Sequence, residues 1–137
     1  MASSTVATRL PEALLREITR YAKRRRIGPS EALRAIVDEC VTMAKYPALE
    51  FRDGPAGRRP GLRGGPDVWE LVMVARDAGS EAEALRGYFG PHLSAEAIGQ
   101  ALSYAGEHRE DVEVWLEEND RLGEELERQS RARLRVS

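Results

Sequence analysis

The sequence predicts a mainly α-helical protein, and three observations carry that expectation. Apolar residues recur at spacings of three and four through most of the 137 residues, the repeat of helices with one buried face. Only one stretch, TVATRL at residues 5–10, alternates with period two. One interval, residues 46–67, breaks the helical pattern with Gly, Pro and Arg.

Each element has a local cause. In residues 5–10, Val6, Thr8 and Leu10 fall on one face and Thr5, Ala7 and Arg9 on the other, the pattern of a short strand. Pro11 suits the first turn of a helix, Glu12 complements its positive end, and Leu14, Leu15, Ile18 and Tyr21 are its apolar series. In IGPSEALRAIVDECVTMAKY a second helix is capped by Gly28 or Ser30, with Pro29 at its start and Leu33, Ile36, Val37, Cys40 and Val41 as its stripe. Residues 46–66 read as a linker, or as a small hairpin turning at residues 53–57. Val68, Leu71, Val72 and Ala75 share the face of a helix that ends near Gly79, and Ser80 and Glu83 have capping-box spacing for a short helix after it. Another helix begins at Ser94 with Ile98, Ala101, Leu102 and Ala105. The last carries Val112, Trp115, Leu116, Leu122 and Leu126 from Arg109 to about Arg131; Gly123 interrupts it, and the polar tail beyond is expected to be loosely ordered. The expected organisation is residues 4–45, a linker or hairpin at 46–66, a helical domain at 67–119 and a charged helix or tail at 120–137.

Composition narrows the function. An apolar content of 42% with 32% charged residues fits a soluble helical chain. No apolar run approaches the roughly 18 to 20 residues of a membrane span, and MASSTVATRL lacks the apolar centre of a secretory signal, so residence in the cytoplasm is expected, with no membrane partner. The single Cys40 sits in an apolar series and is expected to be a core residue. The net charge of −2 hides a split: residues 1–50 are net +3, residues 51–66 net +3 and residues 67–137 net −8. A basic N-terminal part suits a polyanion.

A lone strand exposes unpaired backbone groups, and an identical strand from a second copy satisfies them around a two-fold axis. Strand, Pro11-Glu12, helix, basic turn, Gly28-Pro29-Ser30-Glu31 and helix together resemble the ribbon-helix-helix DNA-binding fold of the Arc and CopG repressors. That resemblance implies a homodimer whose paired strands enter the major groove of double-stranded operator DNA, with Thr5, Ala7 and Arg9 reading base edges. Arg9 suits guanine and Thr5 several bases, whereas Ala7 departs from the usual polar residue and can touch only a thymine methyl, unless the register is shifted by one. The resemblance also implies a phosphate clamp at Gly28 and Ser30, where Pro29 has no N–H to give, and the run Lys23, Arg24, Arg25 and Arg26 lies beside it to supply charge.

The remainder is similar to a small helical domain found in antitoxins of the VapB type, often encoded beside PIN-like ribonucleases. The likeness rests on the Gly- and Arg-rich hairpin, on Val68-Trp69, and on Ala101, Leu102, Tyr104 and Ala105 ahead of His108. It implies helices arranged like a helix-turn-helix, and the acidic version in this sequence is a poor candidate for holding DNA. Arg52, Arg58, Arg59 and Arg63 are candidates for a second nucleic-acid contact, with an exposed linker as the alternative.

Catalysis finds little support. His92 and His108 have no second ligand at metal spacing, the glycines of GPAGRRPGLRGGP lack the Lys-Ser/Thr of a phosphate loop, and the carboxylates of the last helix spread over nearly every face. No metal or cofactor is expected. The resemblances imply an antitoxin that represses its own operon and neutralises a PIN-like ribonuclease toxin, with Leu122, Leu126 and Leu134 as apolar anchors for that partner. The alternatives are a stand-alone regulator whose C-terminal domain oligomerises or senses a ligand, and a purely structural oligomerisation protein.

Overall fold

Six helices and one two-stranded antiparallel sheet make up the described residues, 2–136, of the computed structural model, so the chain is mainly α. It divides into two compact units after Thr42.

In the first unit, α1 (Glu12–Arg25) is opened by Pro11, whose carbonyl accepts the Leu15 N–H at 3.0 Å. Its last turn closes through the Arg26 N–H to the Ala22 and Lys23 carbonyls and the Ile27 N–H to the Ala22 carbonyl, with Arg26 left-handed at φ 57°. This C-terminal closure favours glycine, and arginine holds it at a cost of about 1–2 kcal/mol. The second helix, α2 (Pro29–Lys45), begins where the Gly28 carbonyl accepts the Ala32 N–H at 3.0 Å. Ile18, Ala22 and Ala32 form the buried centre, with Leu10, Tyr21, Ile27 and Ile36 around it.

The stripe expected to be core is mostly uncovered in the single chain. Leu14, Val37 and Val41 are 47%, 51% and 61% exposed, and Leu15, Leu33 and Cys40 are exposed too. The expectation of a core Cys40 is corrected accordingly: two helices bury only the strip where they touch, and Cys40 lies outside it.

The second unit builds a fuller core. Strands β1 (Leu49–Gly54) and β2 (Gly57–Leu62) pair in register from Leu49 with Leu62 to Gly54 with Gly57, around a turn at Pro55 and Ala56. Gly57 adopts φ +116°, a conformation side chains disfavour. Next come α3 (Val68–Ala78), α4 (Ala82–Phe89), α5 (Ala95–Glu107) and α6 (Arg109–Val136). Leu49, Leu62, Val68, Leu71, Leu85, Leu93, Ile98, Ala101, Tyr104 and Val112 are buried together, with Trp115 and Leu116 packed against them. On α3 it is Val74 that is buried, while Val72, expected in the core, lies half-buried at its edge.

Local chemistry sets most boundaries. The Ser94 hydroxyl accepts the Ala97 N–H at 3.1 Å, and Gly79 closes α3 through its N–H to the Ala75 carbonyl at 2.9 Å. Ser80 does not cap α4: that helix starts at Ala82, so Glu81 occupies the capping position, with no side-chain bond. The last helix passes through Gly123 without a break, which corrects the expected loose tail. Glutamates four residues before arginines, as in Glu127 and Arg131 at 3.8 Å, favour helix enough to offset the roughly 1 kcal/mol that one glycine costs.

Candidate nucleic-acid interface

The N-terminal segment is presented ahead of α1. Residues 2–9 are exposed and carry no hydrogen-bonded ladder in the single chain, and Leu10 packs on the small centre of the first unit. Thr5, Ala7 and Arg9 are accessible, and so are Val6, at 91% exposure, and Thr8. One chain alone therefore leaves both faces of the expected strand open.

The basic run lies in the last turn of α1 and the turn after it, where positive charge complements the negative end of the helix dipole. Lys23, Arg24 and Arg26 are exposed, whereas Arg25 is half-buried with its guanidinium 4.4 Å from the centre of the Tyr21 ring. Four cations within four residues suit a phosphate backbone, and Arg25 is held by an aromatic face. Gly28 and Ser30 are exposed at the start of α2. Pro29 removes one donor there and Glu31 adds a negative charge in the same turn, so the guanidiniums rather than the backbone carry the attraction for an anion.

The arginines of the hairpin are placed differently. Arg52 donates to Asp67 at 2.7 Å, to the Gly65 carbonyl at 2.8 Å and to the Leu62 carbonyl at 3.3 Å, and a Cβ on Gly61 would collide with its guanidinium. Asp67 also accepts the Trp69 indole N–H at 3.1 Å as it opens α3. Arg59 is buried, paired with Glu118 and 5.9 Å from the centre of the Trp115 ring. Arg63 donates to the Pro47 carbonyl at 3.1 Å, and Arg58 lies 3.6 Å from Asp53. The guanidiniums of Arg52 and Arg59 are paired with Asp67 and Glu118 inside the fold, and of the two expected forms, linker or hairpin, the segment takes the hairpin.

A further polar cluster ties residues after Thr42 to α5. Lys45 donates to Glu107 at 2.9 and 3.0 Å. Hydrogen bonds from Tyr46 and then Lys45 hold the Glu107 carboxyl below the usual carboxylate range, and the same contacts raise the Lys45 ammonium and the Tyr46 hydroxyl. The Tyr104 ring stacks on His108 with centroids 4.1 Å apart. The sequence did not single out the pairing of Lys45 with Glu107, because the two are 62 residues apart.

On α6 the three expected anchors do not share one stripe. Leu122 and Leu126 lie one turn apart and exposed, while Leu134, also exposed, is about 80° around the helix from Leu126 at 3.6 residues per turn. An open groove of about 700 Å³ lies along the surface where α3 meets α5 and α6, lined by Val72, Leu102, Val112 and Arg109 and by the ion-paired Arg76 and Glu113. Among the described residues no group of His, Cys, Asp or Glu is placed to hold a metal, and no helix is long and apolar enough to cross a membrane. Comparison with known protein families, with curated proteins and with solved structures finds no match for this chain.

Proposed function

We propose that this chain is a homodimeric DNA-binding protein of the ribbon-helix-helix kind, acting in the cytoplasm as the antitoxin of a toxin-antitoxin pair that represses its own operon. The observation that carries the reading is the uncovered apolar stripe of the first unit. Leu14, Leu15, Leu33, Val37 and Val41 are exposed on two helices whose buried centre is mainly alanine, and an exposed segment without regular structure, residues 2–9, precedes them. A second copy satisfies both needs at once. The exposed Lys23, Arg24 and Arg26 support the polyanion, and the acidic C-terminal unit, helix-turn-helix-like in this reading, supports a protein partner with a basic surface, a PIN-like ribonuclease, meeting Leu122, Leu126 and Leu134.

The experiment is a gel-shift titration on the DNA upstream of the protein's own reading frame, at several salt concentrations. Arg9→Ala should cost about 1–3 kcal/mol there and much less on random DNA, whereas Arg24→Gln with Arg26→Gln should weaken both alike and lower the salt slope by roughly one per lost phosphate contact. Equal losses on both DNAs for Arg9→Ala would make it a phosphate anchor, and absence of any shift would remove the DNA reading. Truncation after Asn119 should leave DNA binding intact and abolish neutralisation of a co-expressed neighbouring nuclease. The groove between α3 and α5 favours a second reading, a stand-alone regulator whose C-terminal unit senses a ligand. Full repression with no neighbouring nuclease would select it.

A further inference from the structure

The last helix carries a charge pattern that the proposed function does not use. Residues 109–127 hold nine acidic and two basic side chains, and residues 128–136 hold four arginines and no acid. Glu117, Asp120, Glu124, Arg128, Arg131 and Arg135 follow one another at spacings of three or four, so all six stand on one face of α6, and all six are exposed. The stripe reads acid, acid, acid, base, base, base. It also inverts about residue 126: Glu117 and Arg135 are equally far from that point, Glu124 and Arg128 likewise, and Asp120 and Arg131 match to within one residue.

A contact between identical surfaces around a two-fold axis must be complementary to itself. Two such helices side by side and parallel set acid against acid and base against base. Turned antiparallel about residue 126, each carboxylate meets a guanidinium, and the symmetry doubles three pairs to six. We propose that this stripe is a self-association surface, on which α6 of a second copy of this chain packs antiparallel. Exposed ion pairs are individually weak, so the contact is salt-sensitive and gains most where another interface already holds two copies together and raises their effective concentration. The inference stands on α6 and requires neither DNA nor a toxin.

The test uses the full chain with Cys40→Ser and a nitroxide on Ser130→Cys, about 120° around the helix from the stripe, or, separately, Val114→Cys at its edge. With 1.5 Å of rise per residue and helices 8–10 Å apart, antiparallel pairing about residue 126 puts the two Ser130 backbones about 15 Å apart and the two Val114 backbones about 35–40 Å apart, whereas parallel pairing puts both near 10 Å. At low salt the short Ser130 distance should be present, and at high salt it should be lost. Arg128→Glu, Arg131→Glu and Arg135→Glu together should abolish it, and adding Glu117→Arg, Asp120→Arg and Glu124→Arg should restore it, which mere fraying of the helix would not allow. No short distance at low salt, a distance indifferent to the triple reversal, or equally short distances at both sites would each overturn the proposal. Operator binding in the same samples keeps the two readings apart: DNA binding without the Ser130 distance rejects this surface alone, and the distance without DNA binding rejects the proposed function alone.

Discussion

Residues 1–42 and residues 43–137 handle the same problem, covering apolar side chains, with unequal means. The first unit has two helices, and it buries Ile18 and two alanines while leaving leucines and valines in view. The second brings a hairpin and four helices to one core, and there Leu49, Leu62, Leu71, Leu85 and Ile98 reach zero or near-zero exposure. The difference teaches that amphipathic spacing alone does not make a core. A helix needs something across from its stripe, and with only one neighbour a helix buries a narrow strip. The arginines follow the same division: Arg24 and Arg26 of the first unit are exposed, while Arg52 and Arg59 are absorbed into the second unit by Asp67 and Glu118.

The largest expected effect lies in the complete core. Leu71→Ala should destabilise the second unit by about 2–5 kcal/mol in urea unfolding, whatever the protein concentration, because it leaves a cavity at a fully buried site. A concentration-dependent loss would mean that this core too depends on a second copy.

Val37→Asp probes the open stripe of the first unit. If a second copy covers it, the substitution should cost about 1.5–3 kcal/mol, lower the melting temperature in a concentration-dependent way and shift sedimentation toward the monomer. An unchanged mass and melting temperature would show that the stripe stays open in solution, and would sink the dimer.

The arginines sharpen the contrast. Arg59→Ala should cost about 1–3 kcal/mol of stability by leaving Glu118 without its partner, with little effect on DNA affinity. Arg24→Gln, at an exposed site, should leave thermal stability within about 0.5 kcal/mol, and if the proposed function holds it should weaken DNA binding. Reversed outcomes would exchange the roles assigned to the two regions.

Two glycine exchanges, one per unit, are expected at about 1 kcal/mol each. Arg26→Gly should stabilise the first unit, since the left-handed residue that ends α1 suits glycine, and on the proposed function it should also weaken DNA binding. Gly123→Ala should stabilise α6, because a Cβ there meets nothing within 4 Å. A higher melting temperature with unchanged helicity by circular dichroism fits a continuous α6, whereas a clear gain of helicity in Gly123→Ala would show that the helix was broken there.

The smallest effect is a pH dependence confined to the second unit. The Glu107 carboxyl is lowered by Tyr46 and Lys45, so the stability it supplies is full above the usual carboxylate range and is lost as pH falls through the lowered value. Thermal melts from about pH 7 to about pH 3 should fall more steeply for the native protein than for Glu107→Gln. Parallel curves would show that the cluster contributes nothing to acid stability.

Much of this was legible along the chain, because it depends on groups within a turn of one another. Pro11 starting α1, Ser94 capping α5, Gly79 ending α3 and the basic run after Ala22 are short-range chemistry, visible in order in the sequence. The same range explains the errors at Ser80 and in the tail. Capping-box spacing permits a cap but does not require one, and one glycine is outweighed when glutamates precede arginines by four. What tertiary structure alone decided is which residue meets which across the fold. Arg59 finds Glu118 at a separation of 59 residues, Lys45 finds Glu107 at 62, and Val74 rather than Val72 turns into the core. Charge and apolarity are properties of a residue, but burial and pairing belong to the surface placed opposite it, and that surface arrives from elsewhere in the chain.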